Sequence, residues 1–465
     1  MLLLFSLIVV CANCHPEIVA RYLRTPMANT SGKVAASEEF AGRFYHAASR
    51  TTFEIAPVQA GGLELRAGHE RVRLDFFIGS RRMGRSYAFL DNGYLYQAPV
   101  GYYATRRGWD MAPGYQDDIR PDFDRPITAE CLYCHASGVR VEVGTLNRVA
   151  NWSGLHGVTC ERCHGDGEAH AAHPERRNIV NPARLPPPLR QAVCEQCHLS
   201  GEARLLLPGK TLEDFRPGEK LSDYLAVYVA AGAPRGVRVN SHAEALARSR
   251  CRRESRTLWC GTCHDPHRAA VGFRDKCLGC HAQRQCPSPQ RDAGDCTRCH
   301  MPKARAYDGG HTTFTDHSIP RRPAEAPAQP GPPAELAAYF TDAGPPGLAA
   351  RNLGLAYAQA GAKYGRPAWL EKAWPLLRQA AQSKPRDAAL YAQMAVLLQA
   401  DGRIEQAVDF YRLSLQIGPN QDAVLVNLAG LLYRQGKKQE ARDLWRRALA
   451  LNPRQPAAQE ALRRK

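Results

Sequence analysis

The sequence predicts a mainly α chain: a body with little regular secondary structure that carries a small β-rich insert, followed by a C-terminal helical solenoid. Three observations predict it. The pattern C-x-x-C-H occurs seven times, always before residue 301. Between about Arg50 and Asp124, short β-branched and aromatic runs alternate with turn signals. Beyond Pro346 the sequence repeats with a 34-residue period, marked by Pro385, Pro419 and Pro453 and by Gly402 and Gly436.

The seven motifs run Cys11–His15, Cys131–His135, Cys160–His164, Cys194–His198, Cys260–His264, Cys277–His281 and Cys296–His300. Such a motif attaches haem covalently. The two thiols add across the haem vinyl groups and the adjacent histidine takes the proximal side of the iron. The attachment residues are Cys11, Cys14, Cys131, Cys134, Cys160, Cys163, Cys194, Cys197, Cys260, Cys263, Cys277, Cys280, Cys296 and Cys299. The proximal ligands are His15, His135, His164, His198, His264, His281 and His300. At this Cys and His content chance supplies about 0.02 copies. Zinc sites or a disulfide framework would not demand a histidine after the second cysteine every time. The expected cofactor is therefore seven covalently bound haem c, and the expected class a multihaem c-type cytochrome.

Covalent haem attachment takes place outside the cytoplasm, so a periplasmic or cell-surface location is expected. Cys251 and Cys286 lie outside the motifs and are either a disulfide or two free thiols. The formal net charge is +17. Seven ferric haems with their propionates bring it to about +10, and full reduction to about +3. That argues against nucleic acid as a partner and for an acidic redox protein. Met1–Val10 has the apolar character of a signal-peptide core but no basic leader and no small-residue cleavage site. It is too short to span a bilayer. It reads as a signal remnant, with the natural start elsewhere, and no transmembrane span is expected.

Five segments follow. Residues 1–49 carry the first haem motif, and residues 50–124 form the β-rich insert, in which Asn92-Gly93 between aromatic runs predicts a hairpin. Residues 125–320 pack six motifs into so little chain that the porphyrins must supply much of the apolar interior. Residues 321–346, with Pro-Arg-Arg-Pro and Pro-Gly-Pro-Pro, read as a linker. Residues 347–465 hold the repeats, including a divergent first copy at 349–384 and a capping remnant at 459–465.

Each iron needs a sixth ligand or stays open to substrate. Nine histidines remain after the proximal seven. His156, His170, His267, His311 and His317 sit close to motifs and are candidate distal ligands, as are His242 and His46. His173 and His69 are weaker. Met27, twelve residues after the first motif, is a candidate thioether ligand that would raise that haem's potential; Met111 and Met301 are weaker.

The run H-G-V-T-C-E-R-C-H-G-D-G-E-A-H (156–170), with C-G-T-C-H-D-P-H (260–267) and C-T-R-C-H-M-P (296–302), resembles the multihaem cytochromes related to hydroxylamine oxidoreductase and the tetrahaem cytochromes. With C-H-P-E-I near the start, W-D-M-A-P-G-Y, F-T-D-H-S-I and the 34-residue repeats, the whole chain resembles bacterial tetratricopeptide-repeat multihaem cytochromes. The resemblance implies mostly bis-histidine haems and electron transfer, with the repeats docking a protein partner. No C-x-x-C-K occurs, unlike the related nitrite reductases, and none of Tyr96, Tyr102, Tyr103 and Tyr115 is marked as a haem cross-link. The leading expectation is an electron conduit without catalysis of its own. The alternative is an oxidoreductase with one open haem, lined by Arg81, Arg82 or Arg85, acting on a small nitrogen or sulfur compound. Self-association into longer haem arrays is compatible with either.

Overall fold

The computed structural model describes residues 5–35, 40–59, 61–152, 155–232, 236–269, 272–282, 294–321, 334–341 and 346–464. Helices are the most abundant elements, with several small sheets between them, and the C-terminal stretch is wholly helical.

The β-rich insert comprises β1 (Ser31–Lys33), β2 (Gly42–His46), β3 (Thr51–Pro57), β4 (Leu63–Ala67), β5 (Glu70–Leu74), β6 (Phe76–Ile78), β7 (Gly84–Asp91), β8 (Tyr94–Tyr103) and β9 (Gly108–Met111). These form a four-stranded sheet, β2-β3-β4-β5, and a five-stranded sheet, β1-β6-β7-β8-β9. Alternation sets the inward face: Leu63, Leu65 and Ala67 of β4 are buried while Arg66 is exposed. Phe53, Leu65 and Leu74 from one sheet share a core with Tyr87, Tyr96 and Val100 from the other, so the insert is a small sandwich. Asn92 and Gly93 turn β7 into β8 with both residues at positive φ, the conformation a two-residue hairpin of this kind demands. The sandwich begins at Ser31 rather than near Arg50, because β1 pairs with β6 across the chain.

The haem-motif region consists of short helices: α1 (Phe5–Cys14), α2 (Pro16–Tyr22), α3 (Ala129–His135), α4 (Glu161–His164), α5 (Gly167–Ala172), α6 (Pro187–His198), α7 (His242–Arg248), α8 (Arg250–Glu254), α9 (Cys260–Cys263), α10 (Arg274–His281) and α11 (Thr297–His300). Most motifs occupy the last turn of a helix. Positions i, i+3 and i+4 share one helix face, so both thiols and the histidine of a motif point the same way. Small strand pairs punctuate the region: β10 (Arg140–Val141) with β11 (Val149–Ala150), β12 (Ala203–Leu206) with β13 (Leu225–Ala230), and β14 (Lys303–Arg305) with β15 (Thr313–Thr315).

The repeats are helical hairpins: α12 (Ala349–Lys363) with α13 (Pro367–Ala381), α14 (Ala388–Ala400) with α15 (Ile404–Ile417), and α16 (Asp422–Arg434) with α17 (Lys438–Leu451), followed by α18 (Pro456–Arg463). Fully buried alanines, among them Ala395, Ala407, Ala429, Ala441 and Ala448, let the helices approach closely. Gly402 and Gly436 take the positive φ that ends the first helix of a hairpin.

Both ends of the solenoid are fastened to the body. At the near end, strand β16 (Leu336–Ala338) pairs with β13, and Ala203, Leu205, Tyr228 and Leu336 share a core with Leu355, Ala356 and Trp369. Part of the proline-rich stretch expected to be a plain linker is thus a strand; its residues 322–333 and 342–345 lie outside the described residues. At the far end, the Tyr96 hydroxyl donates to Asn452 Oδ1 at 2.9 Å, Arg454 pairs with Asp91 at 2.7 Å, and Leu146 N donates to Leu451 O at 3.1 Å.

Candidate haem-binding cavity

The short helices enclose one continuous cavity of 4820 Å³. All seven motif histidines line it, with every motif cysteine except Cys131. Neighbouring motifs meet there. The thiol of Cys11 lies close to that of Cys160, as do those of Cys134 and Cys197, Cys194 and Cys260, and Cys277 and Cys296.

Burial favours the neutral form of six of the cavity histidines, the state in which an imidazole can bind iron. His198 is lowered to about 4 by burial, helped by His317, His135 and His264. His242 is lowered to about 3 by burial and by His317, His198 and His264. His135, His164, His264 and His317 are lowered chiefly by burial. Several rings spend Nδ1–H on a protein oxygen and leave Nε2 for a metal. The acceptors are Val180 O for His164 (2.7 Å), Pro320 O for His300 (3.0 Å), Thr315 O for His317 (2.9 Å) and Asn178 Oδ1 for His170 (2.8 Å).

Of the candidate distal histidines, His170, His242, His267 and His317 line the cavity. Three face a motif histidine. Ring centres are 5.8 Å apart for His164–His267, 5.7 Å for His198–His242 and 6.2 Å for His264–His317. Two metal–imidazole bonds of about 2.0–2.1 Å on opposite sides of one ion put ring centres about 6 Å apart. Met27 and Met301 also line the cavity.

His46, His156 and His311 are not brought to the cavity. His46 lies in β2 with Nδ1 at 2.8 Å from Ser49 Oγ and Nε2 at 2.8 Å from Gln116 O, so both nitrogens are spent. His311 bonds Asp110 Oδ2 through Nε2 at 2.9 Å and packs edge-on against Tyr103. His156 exchanges backbone bonds with Ser137. His69 is in the turn between β4 and β5, and Met111 is buried in the sandwich core. Arg82, Arg85 and Tyr103 reach the cavity wall; Arg81 stacks on Phe40 instead. Tyr96, Tyr102 and Tyr115 belong to the sandwich core. Cys251 lines the cavity, whereas Cys286 lies outside the described residues.

The sequence reading passed over Arg162 and Arg248. Both line the cavity, and each has a buried Nε without a hydrogen-bond partner among the described residues. Arg162 sits inside the third motif, and its guanidinium lies over the Tyr133 ring at 3.9 Å. A buried Nε–H short of an acceptor suits the carboxylate of a haem propionate. Thiol pairs on one helix face, neutral imidazoles and acceptor-seeking arginines around a large cavity together fit covalently bound haem. Such haem would supply one-electron chemistry at iron, with the motif cysteines holding it and the cavity histidines available to ligate it.

The fold and this cavity define an arrangement: a body of short haem-motif helices around one cavity, joined to a C-terminal helical repeat. Residues 110–165, spanning the second and third motifs, match the family described as cytochrome c554 and c-prime. Residues 423–455 match the tetratricopeptide repeat. Among solved structures, one titled "MamA R50E mutant" is 28% identical over 24% of this chain and 75% of that chain, with a TM-score of 0.20. Another, "MamA MSR-1 C2", is 24% identical over 25% of this chain and 82% of that chain, with a TM-score of 0.18. No curated protein matches the chain. No helix among the described residues is long and apolar enough to cross a membrane.

Proposed function

We propose that the protein is an exported cytochrome with seven haem c groups, related to the hydroxylamine oxidoreductase and tetrahaem cytochrome superfamily, that relays electrons and docks a redox partner through its repeats. The observation that carries this reading is the single cavity reached by all seven motifs. Shared among seven, it allows about 690 Å³ each, within the roughly 300–1,000 Å³ of a cofactor pocket.

The thiol contacts suggest an order. The first motif meets the third through Cys11–Cys160, the second meets the fourth through Cys134–Cys197, the fourth meets the fifth through Cys194–Cys260, and the sixth meets the seventh through Cys277–Cys296. Cys163 acts on Cys194, and Cys280 on Cys263, which supports links from third to fourth and from fifth to sixth. Electrons would then run from the first haem to the seventh, with the second as a branch. Cys14 and Cys299, at the two ends, are exposed, which suits exchange with partners or with a second copy of the chain.

In this reading His267, His242 and His317 ligate the haems of His164, His198 and His264. His170 serves the first haem, since α5 packs on α1. Met27 stays the thioether candidate. Arg162 and Arg248 neutralise propionates. The repeat region 346–465 holds 19 Lys and Arg against 9 Asp and Glu, ten of the chain's seventeen net positive charges, which favours an acidic partner.

A second reading, an oxidoreductase with one open haem acting on a small nitrogen or sulfur compound, has one observation in its favour. Only four surplus histidines line a cavity with seven proximal ones. Low-temperature EPR of the oxidised, haem-loaded protein, with and without nitrite or hydroxylamine, separates the two. The conduit gives signals that neither ligand moves. A high-spin signal that shifts on adding ligand overturns it in favour of the oxidoreductase.

A further inference from the structure

A buried charge cluster lies behind the helix that carries His242. Arg238 is 5% exposed and Glu244 3% exposed. The Arg238 guanidinium pairs with Glu244, approaches Glu202 Oε2 at 3.3 Å through Nη1, and donates from Nη1 to Gly201 O at 2.5 Å. Glu244 Oε2 accepts from Gly201 N at 2.8 Å. Ser241 Oγ, just before the helix, accepts from Arg238 N at 3.1 Å. The cluster therefore ties the start of α7 to the chain leading into β12.

Helix geometry gives this tie a consequence. Residues two apart on a helix point about 200° apart. Glu244 therefore faces the charge cluster while His242, with Leu246 one turn on, faces the cavity. A helix of seven residues has little stability of its own, so its rotation is set by what grips it. The grip on one face fixes the direction of the histidine on the other.

The repeat domain closes the same cluster. Tyr364, just after α12, donates its hydroxyl to Glu202 Oε2, and Lys363 Nζ stands 3.8 Å from that oxygen. Two buried carboxylates around one guanidinium leave an excess negative charge that Lys363 and the Tyr364 hydroxyl offset.

We propose that Arg238, Glu202 and Glu244 are positioning residues for His242, and that Tyr364 of the first repeat completes them, so that docking of the repeats helps set the ligation of the haem attached at Cys194 and Cys197. The proposal rests on the reading of His242 as an axial ligand. The test is EPR and visible absorption of the oxidised, haem-loaded full chain in His242→Ala, Glu244→Gln, Arg238→Lys and Tyr364→Phe. His242→Ala should remove one low-spin signal. Glu244→Gln should shift or partly convert that same signal and no other, Arg238→Lys should alter it less, and Tyr364→Phe should move its g-values and reduction potential slightly. If His242→Ala leaves every signal in place, the ligand reading fails and the proposal with it. If His242→Ala removes a signal that Glu244→Gln and Tyr364→Phe leave untouched, the ligand reading stands and the positioning role is overturned. Tyr364, at the edge of the cluster, keeps the test open should a variant within it fail to fold.

Discussion

Asn in place of Asp387 should loosen the joint between the repeats and the cytochrome body by an amount the structure lets one work out. Asp387 and Arg351 are 3% and 4% exposed at their side chains and pair at 2.7 Å. Arg351 also donates to Leu206 O of β12 at 2.9 Å, so the pair links α12, α14 and the sheet beneath. Asp387 further caps α14 by accepting from Leu390 N at 3.1 Å. Asn keeps a competent cap and removes the charge, stranding a buried guanidinium at a cost of about 3–5 kcal/mol. Asp387→Ala loses the cap as well and should cost about 1 kcal/mol more. Urea titration followed by far-UV circular dichroism reads both. With a slope near 2 kcal/mol/M, Asp387→Asn lowers the midpoint by about 2 M. Pairing it with Arg351→Met should restore most of the loss, because no buried charge is then left unmatched. If Asp387→Asn and Asp387→Ala shift the midpoint equally and by less than about 0.5 M, the pair behaves like an exposed one and the reasoning is refuted.

Three further outcomes are expected. Glu195, buried between Cys194 and Cys197 and accepting from the Tyr339 hydroxyl at 2.5 Å, is held above its ordinary value of 4.5 by burial. Its ionisation therefore opposes folding, and the chain should lose stability as pH rises from 4.5 through the raised value. Glu195→Gln should raise the neutral-pH melting temperature and flatten that dependence, and an unchanged pH profile would count against it. A Cβ on Gly157 would stand 2.2 Å from Ala28 O, so Gly157→Ala should push the Met27 segment off the loop before Cys160, seen as a lower melting temperature and altered signals from the first and third haems. His267→Ala and His317→Ala should each convert one low-spin haem, and a different one, whereas His46→Ala and His311→Ala should leave the EPR spectrum unchanged.

Sequence made the local devices legible and left the long-range ones hidden. The C-x-x-C-H spacing alone puts thiols and imidazole on one helix face, and the Asn92-Gly93 pair turns β7 into β8. The 34-residue period is visible because each helical hairpin buries the same small residues at the same places. Strands β1 and β16 were not legible, since Ser-Gly-Lys and Leu-Ala-Ala carry no alternation and gain their structure only from β6 and β13. Nearness to a motif did not decide which histidines reach the cavity. His311 is eleven residues after His300, yet its Nε2 is drawn to Asp110 of β9; His242, eighteen residues before Cys260, points inward. What separates them is the distant group that holds each one, Asp110 of β9 for His311 and the Glu202–Arg238–Glu244 cluster behind the helix of His242, which no local pattern encodes. The same holds for Glu202, which the repeat domain reaches through Tyr364 and Lys363.

The central claim is that seven haems share one cavity in an unbroken order. Iron-edge anomalous diffraction from crystals of the haem-loaded protein tests it most directly. The account predicts seven iron peaks, running from the first motif through the third, fourth, fifth and sixth to the seventh, with the second beside the fourth. Fewer than seven peaks, or two groups of peaks separated by a stretch of polypeptide without haem, would contradict it.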